Sequence, residues 1–381
     1  MRPLKNNSDG ARVVSTRSGF HLVRAAVWDK PRSVTAFFRG LKMNKIIFIA
    51  GVAILLWSAT PSSAVDVSAT SASSARTSEG VEFRIGPVYA NAPELAGKPD
   101  VPKGTIHEFT MKSEESKIYP GIAKDHPGIV PYQRKVAVYV PKQYVAGTPA
   151  PFMVVQDGLG YAGTLPKVLD NLIYEKRVPV MVAIMIDSGG GDSLGSERGL
   201  EYDTVSDKYT TFIETEVLPR ISKDYSITFT KDPEGRATMG GSSGAACAFT
   251  MAWFRPDLYR RVLSYSGTFV NQQSPLNPAS PHGAWEYHEH LIPHNGRKPL
   301  RVWLEVSEND NGAKRDEASL HNWVMANERM AAALQAKGYA YRYVFAEAAG
   351  HTDGRVTRQT LPGALEWLWQ GYASPPSAKP H

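Results

Sequence analysis

Met239-Gly240-Gly241-Ser242-Ser243-Gly244-Ala245 reads G-x-S-x-G, with Ser242 at its centre. This pattern suits a sharp strand-to-helix turn that lifts a serine Oγ clear of the backbone. Gly240 and Gly244 fall where the incoming strand and outgoing helix nearly touch, so a Cβ there has no room. The flanks agree: Arg236–Met239 is a short strand-like run, and Ala245–Phe254 is a small-residue apolar stretch that stops near Pro256. Ser243 is the rival nucleophile, but its frame reads G-x-S-x-A and loses a glycine.

Outward from this turn, apolar strands alternate with helical spacing. Strands are expected at Gly104–Met111, Arg134–Val140, Phe152–Gln156, Val178–Ile186, Arg261–Tyr265, Leu300–Val306 and Tyr341–Ala346. Helices are expected at Tyr209–Ile221, Glu317–Lys337 and Leu361–Trp369. Unbroken apolar strands between helices predict an α/β domain, its mostly parallel central sheet covered by helices on both faces. The Pro- and His-rich stretch Asn271–Pro299 reads as a long insertion, a place where lids and binding segments occur.

A serine attacks only when a base takes its proton and a third group holds the base. After Ser242 the chain offers Ser307-Glu308-Asn309-Asp310 behind one strand and Glu347-Ala348-Ala349-Gly350-His351 behind another. Serine, acid and histidine thus arrive in hydrolase order at one edge of the sheet. His351 is the expected base and Asp310 the expected acid, with Glu308 its closest rival and Asp316 and Glu305 behind. The oxyanion hole is expected from the Ser243 N–H and from Gly158 or Leu159 in Gln156-Asp157-Gly158-Leu159-Gly160-Tyr161. The chemistry needs no metal or organic cofactor. His282, His288, His290 and His294 cluster with Glu286 and Glu289, but the spacing is not H-E-x-x-H, so a solvated polar loop is expected and no metal. Trp285 and Tyr287 suit either stacking on a sugar or aromatic ester, or core packing. Ser188-Gly189-Gly190-Gly191-Asp192 lacks the ending of a phosphate loop and reads as a turn. Cys247, the single cysteine, reads as a small buried hydrophobe.

The motifs together resemble the putative esterase family of α/β-hydrolases, which includes enterochelin, feruloyl and acetylxylan esterases, S-formylglutathione hydrolases and mycolyltransferases. The resemblance covers roughly residues 130–372. It rests on Tyr139-Val140-Pro141, Gln156-Asp157-Gly158, Glu197-Arg198-Gly199-Leu200-Glu201-Tyr202, Val217-Leu218-Pro219, the Ser242 turn, Ser264-Tyr265-Ser266-Gly267 and Ala349-Gly350-His351. It implies the α/β-hydrolase fold and a serine carboxylester hydrolase acting on carbohydrate-linked, feruloyl, acetyl or siderophore-type esters. Acyl transfer by the same three residues, and a non-catalytic envelope binding module, are the competing expectations. Arg198-x-x-Glu201-Tyr202 is similar to the enterochelin-esterase-like branch, where it lies near the site entrance. Arg198, Glu201, Tyr161 and Trp285 are therefore candidate substrate contacts. Gly244-Ala245 departs from the Gly-Gly of many relatives.

Residues 1–45 carry ten Lys or Arg against two acids, whereas the whole chain is +6, so the remainder is close to neutral at about −2. The basic pI argues for no nucleic-acid partner. Ile46–Trp57 is apolar but short for a membrane span, and Ser62-Ser63-Ala64 supplies small residues for cleavage. Residues 1–64 are thus expected to be a leader with a secretory signal peptide, starting in truth at Met43. The rest divides into a Ser/Ala/Thr-rich linker (65–80), a strand-rich extension (81–130), the catalytic domain (131–372) and a disordered tail (373–381). Export to the periplasm or exterior follows, with no stable membrane span after cleavage. A small-molecule or carbohydrate ester is the expected partner, and the oligomeric state is not readable.

Overall fold

Apolar side chains on both faces of the central strands dictate a sheet with helices on either side, and the computed structural model has that form. It describes residues 80–122, 128–189, 197–273 and 275–372. The expected signal peptide, the linker up to residue 79, the glycine turn beyond Gly189 and the tail lie outside the described residues. Among the described residues, no helix is long and apolar enough to cross a membrane.

In chain order the first half comprises β1 (Gly80–Ile85), β2 (Thr105–Lys112), β3 (Gln133–Val140), β4 (Phe152–Gln156), α1 (Leu165–Tyr174), β5 (Val182–Ile186), α2 (Glu197–Tyr202), α3 (Lys208–Phe212) and α4 (Leu218–Tyr225). The second comprises β6 (Arg236–Gly241), α5 (Ser243–Phe254), β7 (Arg261–Tyr265), α6 (Ile292–His294), β8 (Arg301–Asn309), α7 (Trp323–Ala336), β9 (Ala340–Gly350) and α8 (Gly354–Trp369). The strands form one sheet in the order β1-β9-β8-β7-β6-β4-β5-β3-β2. The β2–β3 and β3–β5 pairs are antiparallel and the others parallel. Residues 80–112 therefore supply both edge strands of the same sheet rather than a separate body.

Alternate residues of each central strand feed two cores. Val154, Ile184, Val262 and Leu304 pack with Phe212, Phe249 and Met330 from α3, α5 and α7. Their neighbours Val155, Met185, Leu263 and Trp303 pack with Leu169 of α1 and Leu365 of α8. Every residue of α5 from Ser243 to Trp253 is buried, including Cys247, which explains an apolar composition with no polar face.

Several boundaries differ from the sequence expectation. β8 runs on through Glu308 and Asn309, and β9 through Gly350, because ladder pairing continues past the apolar runs to Asn309↔Gly350. The expected helix from Glu317 begins at Trp323, where the Asn322 side chain caps it by accepting from Met325 N–H. The Tyr209–Ile221 helix is interrupted by a π turn at Ile213–Val217. The 271–299 segment is anchored in the core by Trp285, Tyr287 and Ile292, all fully buried.

Candidate active site

β4 pairs with β5 on one side and β6 on the other, so the crevice at their carboxyl ends is a switch point of the kind where α/β proteins bind ligands. Ser242 stands there, between β6 and α5, at φ 57° and ψ −128°. A non-glycine residue in such a conformation costs on the order of 1–3 kcal/mol and persists only when its surroundings hold it. Here the Ser242 N–H donates to the Tyr265 carbonyl at 3.0 Å, and the Ser242 carbonyl accepts from Ala246 and Thr268 N–H. The glycines behave as their positions demand: a Cβ on Gly240 would lie 2.4 Å from the Gly244 carbonyl carbon.

Loops after β8 and β9 bring Asp310 and His351 to the same edge. Ser242 Oγ lies 2.8 Å from His351 Nε2, and His351 Nδ1 lies 2.5 Å from Asp310 Oδ1. With the proton on Nδ1 donated to the carboxylate, Nε2 accepts from the serine hydroxyl. The Asp310 side chain is fully buried, while the His351 side chain is 22% exposed. Glu308, the rival acid, points elsewhere and accepts from Ala348 N–H at 2.7 Å. Asp316 caps a short 3₁₀ turn through Ser319 N–H. Glu305 lies inside β8, where burial pushes its carboxyl up to about 8. It accepts from the Ser307 hydroxyl and does not reach His351 as a partner.

For the expected oxyanion hole, Ser243 is the first residue of α5 and Gly158 the first of the 3₁₀ turn Gly158–Tyr161. N–H groups at such positions have no acceptor within their own helix. The Leu159 N–H is directed to Asp187 Oδ1 at 3.3 Å. Gly158 is tied to the neighbouring strand: a Cβ on it would meet Met185 Cα at 2.3 Å.

Ser242 and His351 open on a cleft of about 390 Å³ whose lining includes Asp157, Tyr161, Thr164, Arg198, Thr357 and Arg358. Two of the four candidate substrate contacts are at this cleft. Arg198 holds Asp157 through Nη2–Oδ2 at 2.6 Å, and the Tyr161 hydroxyl rests against Gly241. The other two are not. Glu201 is buried and pairs with Arg134 through both oxygens, which docks α2 on β3. Trp285 is fully buried under the Arg329 guanidinium and edge-on to His288, so it packs core rather than substrate. Tyr287 is likewise core, its hydroxyl 2.7 Å from Thr250 Oγ1.

Sequence reasoning missed the groups that steady the reacting pair. Thr268 Oγ1 lies 3.3 Å from Ser242 Oγ and accepts from Trp323 Nε1 at 3.1 Å. The Trp323 ring stands edge-on to His351 at 6.1 Å. Ser266 Oγ accepts from Thr352 N–H, fixing the residue after His351. Only the polar cluster Ser264–Thr268 behind an apolar strand hinted at any of this.

A family profile described as Putative esterase matches residues 129–368. Among solved structures, the chain is similar to the enterobactin esterase of Shigella flexneri, with a TM-score of 0.52 and 19% identity over 74% of this chain and 63% of that one. It is similar to the ferric enterobactin esterase of Salmonella typhimurium, with a TM-score of 0.51 and 21% identity over 71% and 60%. A ferulic acid esterase gives 0.50 and 16% identity over 70% and 98%. At these identities the likeness is one of fold. The chain spans 60–63% of the length of the two enterobactin esterases. No curated protein matches the sequence.

Proposed function

This chain belongs to the putative esterase family, and from that premise we propose that it is an exported serine carboxylester hydrolase. The reading is carried by the unbroken hydrogen-bond line from Ser242 Oγ through His351 to the buried Asp310 carboxylate. Ser242 attacks the ester carbonyl as His351 Nε2 takes its proton. The same imidazolium then protonates the departing alcohol, leaving an acyl group on Ser242 Oγ. Asp310 holds the ring in the Nδ1–H tautomer and offsets the imidazolium charge. The Ser243 N–H, with that of Gly158, stabilises the oxyanion. A water, deprotonated by His351, releases the acid and restores the serine.

The cleft suits a compact polar ester. Among the described residues, its walls combine Asp157, Arg198, Arg358, Tyr161 and three threonines. Esters of small or hydroxyaromatic acids with polar alcohols, the class that includes carbohydrate-linked, feruloyl, acetyl and siderophore-type esters, match that lining. Export is supported by the basic leader, the short apolar run and the small residues before Val65.

The test compares kcat/KM on p-nitrophenyl acetate and p-nitrophenyl palmitate for wild type and Ser242→Ala. Wild type should hydrolyse acetate at least as fast as palmitate, since methylenes without an apolar pocket add no burial energy. Ser242→Ala should lose about four or more orders of magnitude on acetate. A variant retaining more than a tenth of wild-type activity contradicts the mechanism, and a preference for palmitate contradicts the substrate class.

A further inference from the structure

The segment between β7 and β8 gathers four metal-ligating side chains that ester hydrolysis does not use. His282 stands just before the 3₁₀ turn Gly283–Trp285 and Glu286 just after it. Glu289 and His290 lie in the π turn Tyr287–Leu291. Buried Trp285 and Tyr287 fix one side of this segment to the core. The opposite side carries the four ligands. Such π turns recur at functional sites, because they change which residues share a face.

The distances are specific. His282 Nδ1 lies 3.3 Å from Glu289 Oε2 and 3.7 Å from Glu286 Oε1. His290 Nε2 lies 3.7 Å from Glu286 Oε2 and 3.7 Å from Glu289 Oε2. Ligand atoms of His282, Glu286 and Glu289 all lie within 4.8 Å of one another. Four ligands held ~2.0–2.2 Å from one zinc ion in a tetrahedron stand ~3.3–3.6 Å apart. His282, Glu286 and Glu289 already approach that spacing, and His290, which reaches both carboxylates at 3.7 Å, lies outside that three-residue group and must turn inward to complete the set.

Glu286 separates this cluster from an ordinary surface ion pair. Its side chain is only 7% exposed; Oε1 accepts from the His282 backbone N–H at 3.2 Å and lies 3.7 Å from that residue's ring Nδ1, while Oε2 faces His290. Two carboxylates beside two imidazoles form a compact donor set suited to a dication. Mixed imidazole and carboxylate donors favour a transition metal, whereas calcium asks for six to eight oxygens. None of the four residues lines the Ser242 cleft, and a site with four protein ligands is of the closed, structural kind.

We propose that His282, Glu286, Glu289 and His290 form a structural site for a divalent transition metal of the zinc class. The ion would staple the entry of the 271–299 segment to its π turn. Untagged protein, stripped with chelator and dialysed, is titrated with zinc chloride by calorimetry, and metal retained after desalting is counted by elemental mass spectrometry. One equivalent of zinc should bind, and Tm should rise. His282→Ala/His290→Ala removes two side chains that are 42% and 56% exposed, so the fold should survive, as circular dichroism checks. That variant should lose more than about 100-fold in zinc affinity, beyond what outer-shell changes alone produce, together with the Tm response. The proposal is overturned if wild type shows no saturable uptake, or if the double variant binds zinc and gains Tm like wild type. A Tm rise with calcium but not zinc would also overturn it.

Discussion

Asp310 and Glu308 are two residues apart, yet only one meets His351. The ladder decides this: β8 continues through Asn309, so Glu308 stays in the strand and serves Ala348, whereas Asp310 turns inward. Asp310→Asn should therefore cut kcat/KM on p-nitrophenyl acetate by about 10⁴, since an amide no longer selects the tautomer with Nδ1–H. Glu308→Gln should stay within about threefold of wild type, as a solvent-side change remote from the reacting atoms. The reverse ranking would reassign the acid. That Ser242, His351 and Asp310 come together was legible because elbow glycines and post-strand loops leave marks in the chain. Thr268 and Trp323 were not legible: a threonine and a tryptophan 55 residues apart signal no common purpose until the sheet brings them to 3.1 Å. Trp285 and Glu201 misled for the opposite reason, since an aromatic or acidic side chain carries no sign in sequence of whether it faces a cleft or a core.

At the scale of elements, the elbow depends on β6 and α5 meeting at backbone distance. Gly240→Ala places a Cβ 2.4 Å from the Gly244 carbonyl carbon, where no flexible side-chain end can yield. It should destabilise by about 1–3 kcal/mol in urea unfolding and lower kcat through the displaced serine. Gly163→Ala, where a Cβ would meet nothing within 4 Å, is the matched control and should behave as wild type. A second contact, Arg134 with Glu201, pins α2 and with it Arg198 beside the cleft. Arg134→Met should cost about 3–5 kcal/mol by leaving a buried carboxylate without its counter-charge, and Arg134→Met/Glu201→Leu should recover much of that. If the single variant is no less stable than the double, the pair does not bind α2 to β3 as described. The existence of the central strands was readable because burial on both faces makes them continuously apolar, though β5 starts four residues later than its apolar run. Helix starts and strand ends were less so, since Asn322 capping and the Asn309↔Gly350 pairing depend on partners distant in sequence.

For the molecule as a whole, the two-core sheet buries carboxyls that couple stability to pH. Burial raises Glu305 to about 8, and burial with the nearby Glu201 raises Glu197 to about 7. Unfolded glutamates titrate near ~4.3, so between that pH and 8 the folded chain keeps protons the unfolded chain has released. The stability from these groups is complete below ~4.3 and falls as pH rises through 7 and 8. Tm should decline across this window, and Glu305→Gln, whose amide can still accept from Ser307, should flatten the decline and raise Tm at pH 9. An unchanged slope would show that Glu305 titrates normally. The central claim, that Ser242 is the activated serine, is tested most directly by intact-mass analysis after treatment with a fluorophosphonate. The account predicts a single adduct per chain, mapped to Ser242 and abolished in both Ser242→Ala and His351→Ala. A folded wild type that takes no label, or a Ser242→Ala variant that labels as fast as wild type, would contradict it.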